Sequence, residues 1–271
     1  MLLVIDAGNS QTHIGIFDGE KLLAQWRIST EPRRTADELA LAIQQFLSFE
    51  DLSFSNDVTG VAIASVVPPV TVALEQMVTK YFAFQPVIVG PGTRSGLPIL
   101  TDNPKEVGAD RVVNSLAAFS LFGGPLVVVD FGTATTFDAI SQAGEYLGGA
   151  ICPGIQVSAA ALWNAAALLP RVELVSPKSI IGKSTTESLR AGVVLGAAAM
   201  VDGMASRMQA ELPGARTVAT GGLAALVVSH CKTEITCEPT LTLTGLRILH
   251  ERNTHDRFAS QGQDKPAKAA H

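Results

Sequence analysis

The chain has 271 residues, 47% of them apolar and 17% charged, which excludes a disordered or supercharged chain and suits one large domain or two modest lobes. Twenty Lys and Arg against twenty-five Asp and Glu leave a net charge of -5, with no basic run long enough to follow a nucleic-acid backbone, so no nucleic-acid partner is expected. Cys152, Cys231 and Cys237 form no CxxC pair, the opening apolar stretch is too short for a signal peptide, and no run of about 18 apolar residues lacks polar punctuation. These features predict a soluble cytoplasmic protein without disulfides and without a membrane span.

In chain order, residues 2–5 read as a buried strand, and residues 14–17, the Asp18-Gly19 turn and residues 22–28 read as a hairpin. Thr35 followed by Glu38 is a capping box, and Leu39, Ile43 and Leu47 on one face predict a helix over 36–48. The β-branched run 61–67 is halted by Pro68-Pro69, after which Val70, Leu74 and Val78 line a second helix. A short strand at 87–89, a loop through Gly90-Pro91-Gly92 and the polar run 101–105, and a helix over 110–119 lead to a boundary at Gly123-Gly124-Pro125.

Beyond that boundary the opening pattern returns. The run from Val127 through Asp130, Phe131 and Gly132 to Thr133 repeats the run from Leu3 through Asp6, Ala7 and Gly8 to Asn9 at an offset of 124 residues. Each copy is an apolar strand ending in Asp-x-Gly-polar, and a match at the start of both halves predicts an internal duplication. A helix over 157–168, a long helix over 189–212 whose Gly192, Gly196 and alanines permit close helix approach, a strand at 218–220 and a helix over 223–229 complete the second half. The expected organisation is a lobe over 1–124, a related lobe over 125–250 and a polar, frayed tail over 251–271.

Asp6, Gly8, Asn9, Ser10 and Thr12 place short polar groups and backbone donors at a strand end, where they can surround phosphate while the acid holds a cation. Taken alone the loop is equally an Asx or Ser turn. The second copy, Asp130-Phe131-Gly132-Thr133 with Thr135 and Thr136, favours a ligand clamp for a nucleoside triphosphate, one loop from each lobe. Walker A and dinucleotide fingerprints are both missing from the sequence. Thr220-Gly221-Gly222 offers bare backbone to an adenosine, or is simply a turn. In Gly108-Ala109-Asp110-Arg111, Asp110 could deprotonate a hydroxyl and Arg111 could hold an anionic acceptor; the alternative is a helix-capping acid beside a surface arginine. Gly182-Lys183-Ser184-Thr185 lacks the preceding glycines of a phosphate loop, leaving Thr185 as a polar contact or a cap. His13 and Trp163 have no motif partner and read as structural.

Together these residues resemble the type III pantothenate kinases of the acetate and sugar kinase, heat-shock-protein and actin superfamily, over residues 1 to about 250. The resemblance rests on Asp6-Ala7-Gly8-Asn9-Ser10, Asp102-Asn103-Pro104, Gly108-Ala109-Asp110-Arg111, Asp130-Phe131-Gly132-Thr133-Ala134-Thr135, Gly148-Gly149 with Pro153-Gly154, Gly182-Lys183-Ser184-Thr185 and Thr220-Gly221-Gly222, in that order. It implies an α/β fold of duplicated actin-like, ribonuclease H-like lobes, each a mixed sheet with flanking helices, with the active site in the interlobe cleft. It further implies ATP-dependent phosphorylation of pantothenate to 4′-phosphopantothenate by in-line transfer. By the same resemblance Asp6, Ala7, Gly8, Asn9, Ser10, Gln11, Thr12 and His13 form the phosphate loop, with Asp6 organising Mg²⁺. Thr133, Gly221 and Gly222 serve ATP, and Asp130 holds K⁺ or NH₄⁺. Asp110 is the proton acceptor, and Thr101, Gly108, Ala109, Asp110, Arg111 and Thr185 line the pantothenate site. A homodimer is implied, with the small-residue helix 189–212 as part of its contact. Thr101 departs from the tyrosine common in the family before Asp-Asn-Pro, removing apolar contact from the acceptor site. The alternatives are a kinase of the same superfamily for another hydroxyl or carboxylate acceptor, and an ATP-binding regulatory protein.

Overall fold

The computed structural model describes residues 1–82, 84–90, 93–166 and 168–261, the last seven by backbone alone. Pro91 and Gly92 of the expected loop, residue 167 of the expected helix 157–168, and the end of the expected tail from 262 lie outside the described residues.

The first half begins with β1 (Leu2–Ala7), β2 (Gln11–Asp18) and β3 (Lys21–Ser29), an antiparallel meander whose second turn is closed by Gly19 at φ +56. α1 (Ala36–Ser48) starts at the predicted capping box: the Thr35 hydroxyl accepts from the Glu38 N–H while the Glu38 carboxylate accepts from the Thr35 N–H. A single turn, α2 (Phe54–Asp57), precedes β4 (Gly60–Ser65); α3 (Pro68–Tyr81) follows with proline in its first turn, where a missing N–H costs nothing. After β5 (Val87–Ile88) the sheet order is β3-β2-β1-β4-β5. Leu3, Ile5, Ile14, Ile16 and Ile63 from one sheet face bury against Leu39, Ile43, Leu47, Leu74 and Met77 of α1 and α3. Each such side chain contributes about 1.5–3 kcal/mol by leaving water.

The second half comprises α4 (Ala109–Phe122), β6 (Leu126–Phe131), β7 (Ala134–Ile140), β8 (Tyr146–Pro153), α5 (Ile155–Ala165), α6 (Thr185–Glu211), β9 (Arg216–Gly221), α7 (Ala224–Val228), β10 (Ile235–Cys237) and α8 (Leu241–Gln261). Its sheet runs β10-β9-β6-β7-β8, with β6 antiparallel to β7 and parallel to β9. Read outward from β1 or β6, order and direction are the same in both sheets, so the 124-residue repeat is a duplication of topology. By length and composition α6 meets the requirement of a membrane span among the described residues. Its Ala197, Ala198 and Val201 nevertheless pack against Val127, Val129 and Phe137 of the second sheet.

By contacts the chain divides into one unit of residues 1–7, 11–96 and 243–271 and another of residues 8–10 and 97–242, rather than at 124. The reason is packing. α4 follows the first sheet in sequence, yet Ala117 and Ala118 bury with Leu126, Val128 and Val218 of the second sheet. α8 follows the second sheet, yet Leu243 lies against Gly15 of β2 and His250 against Gly60 of β4. The polar stretch expected to fray from 251 therefore continues α8 to Gln261.

Candidate active site

One face of the second sheet and one helix build a cluster of charged side chains. Residues paired across strands share a face. The register therefore sets Thr220, Asp130, Thr136 and Ile151 in one row across β9-β6-β7-β8, and Val218, Val128, Asp138 and Gly149 in the next. α4 covers this face. Gly108 is its N-cap residue, and Asp110 stands in its first turn, where the helix dipole favours a carboxylate; Asp110 Oδ1 accepts from the Arg111 N–H at 2.8 Å.

Arg111 turns towards the sheet. Its Nε donates to Asp138 Oδ1 at 2.8 Å and its Nη2 lies 2.7 Å from the same oxygen. The Tyr146 hydroxyl donates to that oxygen at 2.7 Å, and the guanidinium lies 5.9 Å from the Tyr146 ring centroid. Burial raises the Asp138 carboxyl above its ordinary range, against the pull of Arg111 and Tyr146. Burial and the Asp138 charge likewise push the Tyr146 hydroxyl up, so it remains a donor.

One turn along α4, the buried Asn114 donates from Nδ2 to Asp130 Oδ2 at 3.0 Å, and its Oδ1 accepts from the Thr242 hydroxyl at 2.7 Å. The second bond sets the amide orientation that the first requires. Burial pushes the Asp130 carboxyl up to about 7; Asp110 and Asp138 push in the same direction, and the Asn114 bond pulls it back. The guanidinium of Arg111 is thus bonded to Asp138, while the Asp110 and Asp138 charges act on the buried Asp130 carboxyl.

The predicted phosphate residues fall on turns and strand ends. Gly8, Asn9 and Ser10 form the β1–β2 turn, and Gly132 and Thr133 form the β6–β7 turn. The Ser10 and Thr133 hydroxyls are 2.9 Å apart and bonded, so the structure brings these two together. The flanking positions are less available: Ala7 is fully buried, and the buried Thr12 hydroxyl bonds to Thr30 at 2.9 Å. Asp6, His13 and Arg27 pair in one row across β1-β2-β3. Burial and then Arg27 lower the His13 pKa, and its Nε2 is 2.8 Å from Gln25 Oε1. Gln11 is exposed at the start of β2. Gly221 ends β9 at φ +98, and a Cβ there would meet Asp130 Oδ1 and the Phe131 N–H, each at 2.6 Å; Gly222 is exposed beside it. Gly221→Ala is therefore expected to cost about 2–3 kcal/mol of stability and to weaken ATP binding. Thermal melts and an ATP titration check this; an unchanged melting temperature contradicts it.

Thr101 sits beside β8. Residues 98–100 bond Tyr146 as a short added strand, and Thr101 Oγ1 is shut from solvent with no hydrogen-bond partner among the described residues. Thr185 begins α6 next to the N-cap Ser184, which accepts from the Glu187 N–H, confirming a helix start rather than a phosphate loop at 182–185. Thr185 lines a groove of about 580 Å³ with Ile155, Leu162, Leu189, Gly192 and Met200; Thr101, Asp110 and Arg111 do not line it. The sequence reading missed Asn114, Asp138, Tyr146 and Thr242. A charged residue inside the apolar run 134–140 and an amide inside an apolar helix were the available signals.

The profile of the family described as type III pantothenate kinase matches residues 2–207. A type III pantothenate kinase of Thermobifida fusca (strain YX) is 54% identical over 259 residues, which span 94% of this chain and 100% of that protein. The chain belongs to the type III pantothenate kinases. Another type III pantothenate kinase, from Moorella thermoacetica, is 51% identical over 255 residues, 94% of this chain and 100% of that protein. Among solved structures, the activator of the 2-hydroxyisocaproyl-CoA dehydratase from Clostridium difficile matches with a TM-score of 0.58 at 13% identity, over 99% of each chain. At that identity the likeness is one of fold, and it agrees with duplicated actin-like lobes. Within this type III pantothenate kinase, every motif of the resemblance up to Ser184 and Thr185 lies inside the matched residues.

Proposed function

We propose that in this type III pantothenate kinase Asp110 is the base that accepts the proton of the primary hydroxyl of pantothenate as that oxygen takes the γ-phosphoryl group of ATP, giving 4′-phosphopantothenate and ADP at the first step towards coenzyme A. The observation that carries the residue assignment is the Asp110 carboxylate in the first turn of α4, next in sequence to Arg111 and accepting from its backbone N–H. Asp110 orients the acceptor hydroxyl and takes its proton as the new O–P bond forms in line with the bond breaking to the β-phosphate oxygen. Arg111 holds the acceptor carboxylate, with Gly108, Ala109 and Thr101 completing the acceptor site. Positioning and charge stabilisation supply most of the rate. The turns around Asn9, Ser10 and Thr133 and the bare backbone of Gly221-Gly222 receive the nucleotide.

A cation fits beside Asp130, because burial and the nearby Asp110 and Asp138 charges disfavour its carboxylate and a positive ion there would offset them. No group of three ligating side chains exists among the described residues. That suits K⁺ or NH₄⁺ at Asp130, bound largely by backbone oxygens, and a Mg²⁺ held by Asp6 together with water and the phosphates. Such cations supply charge neutralisation during transfer. We assign a homodimer contact to α6 and its groove, since a Cβ added at Gly192 or Gly196 would meet open space and Val157 and Leu162 of α5 are exposed. Thr185 belongs to that face. The location consistent with this reaction is the cytoplasm.

The test is ADP release coupled to a reporter reaction, with K⁺ or Na⁺ as the sole monovalent cation and a control without acceptor. Pantothenate-dependent turnover that falls at least about tenfold in Na⁺ is expected. ATP binding without pantothenate-dependent turnover would move the assignment to another kinase acceptor or to a regulatory role. Turnover indifferent to the cation would remove the Asp130 site.

A further inference from the structure

We propose that Asp138, backed by Tyr146, is a positioning residue that aims Arg111 at the carboxylate of the acceptor and thereby sets the preference for an anionic acceptor. The inference rests on the assignment of Arg111 to the acceptor and goes beyond it. An arginine at a helix N-terminus is a long, mobile side chain, and ordering it costs rotamer entropy. Here that cost is met before substrate arrives. Asp138 is fully buried, so it has no solvent to compete for it, and its Oδ1 receives both Arg111 Nε and the Tyr146 hydroxyl. The guanidinium carbon lies 5.9 Å from the Tyr146 ring centroid, within reach of a cation–π attraction. Gly149 pairs with Asp138 across the strands and leaves room: a Cβ there would sit 2.8 Å from Arg111 Nη2 and strike the Phe137 carbonyl oxygen.

The arrangement spends only one edge of the fork. Nε is bonded, whereas Nη2, though 2.7 Å from Asp138 Oδ1, has no well-directed hydrogen bond. Arg111 keeps 14% of its side chain exposed while Asp138 keeps none; Nη2 is shut from solvent, and Nη1 carries no hydrogen bond among the described residues. A guanidinium held by Asp138 on its Nε and Nη2 side presents Nη1 as a fixed, charged donor to an acceptor carboxylate. Asp138 cannot itself touch the acceptor; it acts through Arg111.

The experiment measures kcat/KM for pantothenate and for the neutral analogue in which a hydroxymethyl group replaces the carboxylate. It is run on the wild-type enzyme, Asp138→Asn, Tyr146→Phe and Arg111→Gln. Their ratio is the acid preference, and damage that is merely structural lowers both terms and leaves the ratio alone. Asp138→Asn is expected to lower the ratio about tenfold or more, mainly through KM for pantothenate, and Tyr146→Phe about threefold. An unchanged ratio in Asp138→Asn, with the ratio abolished in Arg111→Gln, overturns the proposal and leaves the Arg111 assignment standing. An unchanged ratio in Arg111→Gln, or no acid preference in the wild-type enzyme, overturns that assignment and the proposal with it. Should Asp138→Asn not fold, Tyr146→Phe decides: the tyrosine hydroxyl bonds to Asp138 alone among the described residues, and an unchanged ratio there overturns the proposal.

Discussion

Asp110→Asn is expected to lower kcat by about 10²–10⁴-fold while ATP affinity changes by no more than a few-fold. The substitution keeps the side-chain volume and an oxygen able to accept from the Arg111 N–H, the bond that folds the wild-type carboxylate back onto α4 at 2.8 Å. It removes the one property the reaction needs, a group that accepts the acceptor's proton as the O–P bond forms. The nucleotide contacts proposed for the turns and for Gly221-Gly222 are untouched. Steady-state kinetics in parallel with ATP titration separates the two effects. Near-normal turnover would end the assignment of Asp110 as base.

The second large effect is on stability and carries a sign. The Asp130 carboxyl titrates at about 7 in the folded protein, against about 3.9 in an unfolded chain. A carboxyl raised in this way holds its proton more tightly when folded, so its contribution is fully present below pH 4 and is lost as pH rises through 7. In ligand-free protein without K⁺, Asp130→Asn should therefore be more stable than the wild type, by on the order of 1 kcal/mol at pH 5 and by several kcal/mol at pH 8. Denaturant unfolding at the two pH values measures this. Adding K⁺ at pH 8 is expected to stabilise the wild type and not the variant, because a cation offsets the charge that burial penalises. A pH-independent difference between the two proteins would show that Asp130 is not the group responsible. The same substitution is expected to impair turnover, the familiar exchange of stability for function at a charged site.

Much of this protein is legible in its sequence. The capping box at Thr35 and Glu38, the Pro68-Pro69 helix start and the two Asp-x-Gly strand ends are local signals, set by backbone donors and side chains a few residues apart. The repeat at 124 residues announced the duplicated topology because the same local pattern must make the same strand and turn twice. Asp110 and Arg111 stood out because an acid and a guanidinium open a helix.

What the sequence by itself determined was which segments become strands and helices, that the architecture is repeated, and which carboxylates end the paired strands. Only the tertiary structure decided the partners of those groups. Arg111 meets Asp138 27 residues away, and Asn114 meets Thr242 128 residues away. Asp138 reads locally as one polar residue in a strand; it gains a role only when the β6-β7-β8 register puts it beneath α4. The same holds for the helices that end each half. α4 and α8 have ordinary apolar faces that many surfaces would satisfy, so their sequence cannot say which sheet they cover. Hydrophobic burial is non-directional, and the choice is made by shape and by pairings between distant segments, which no local pattern encodes.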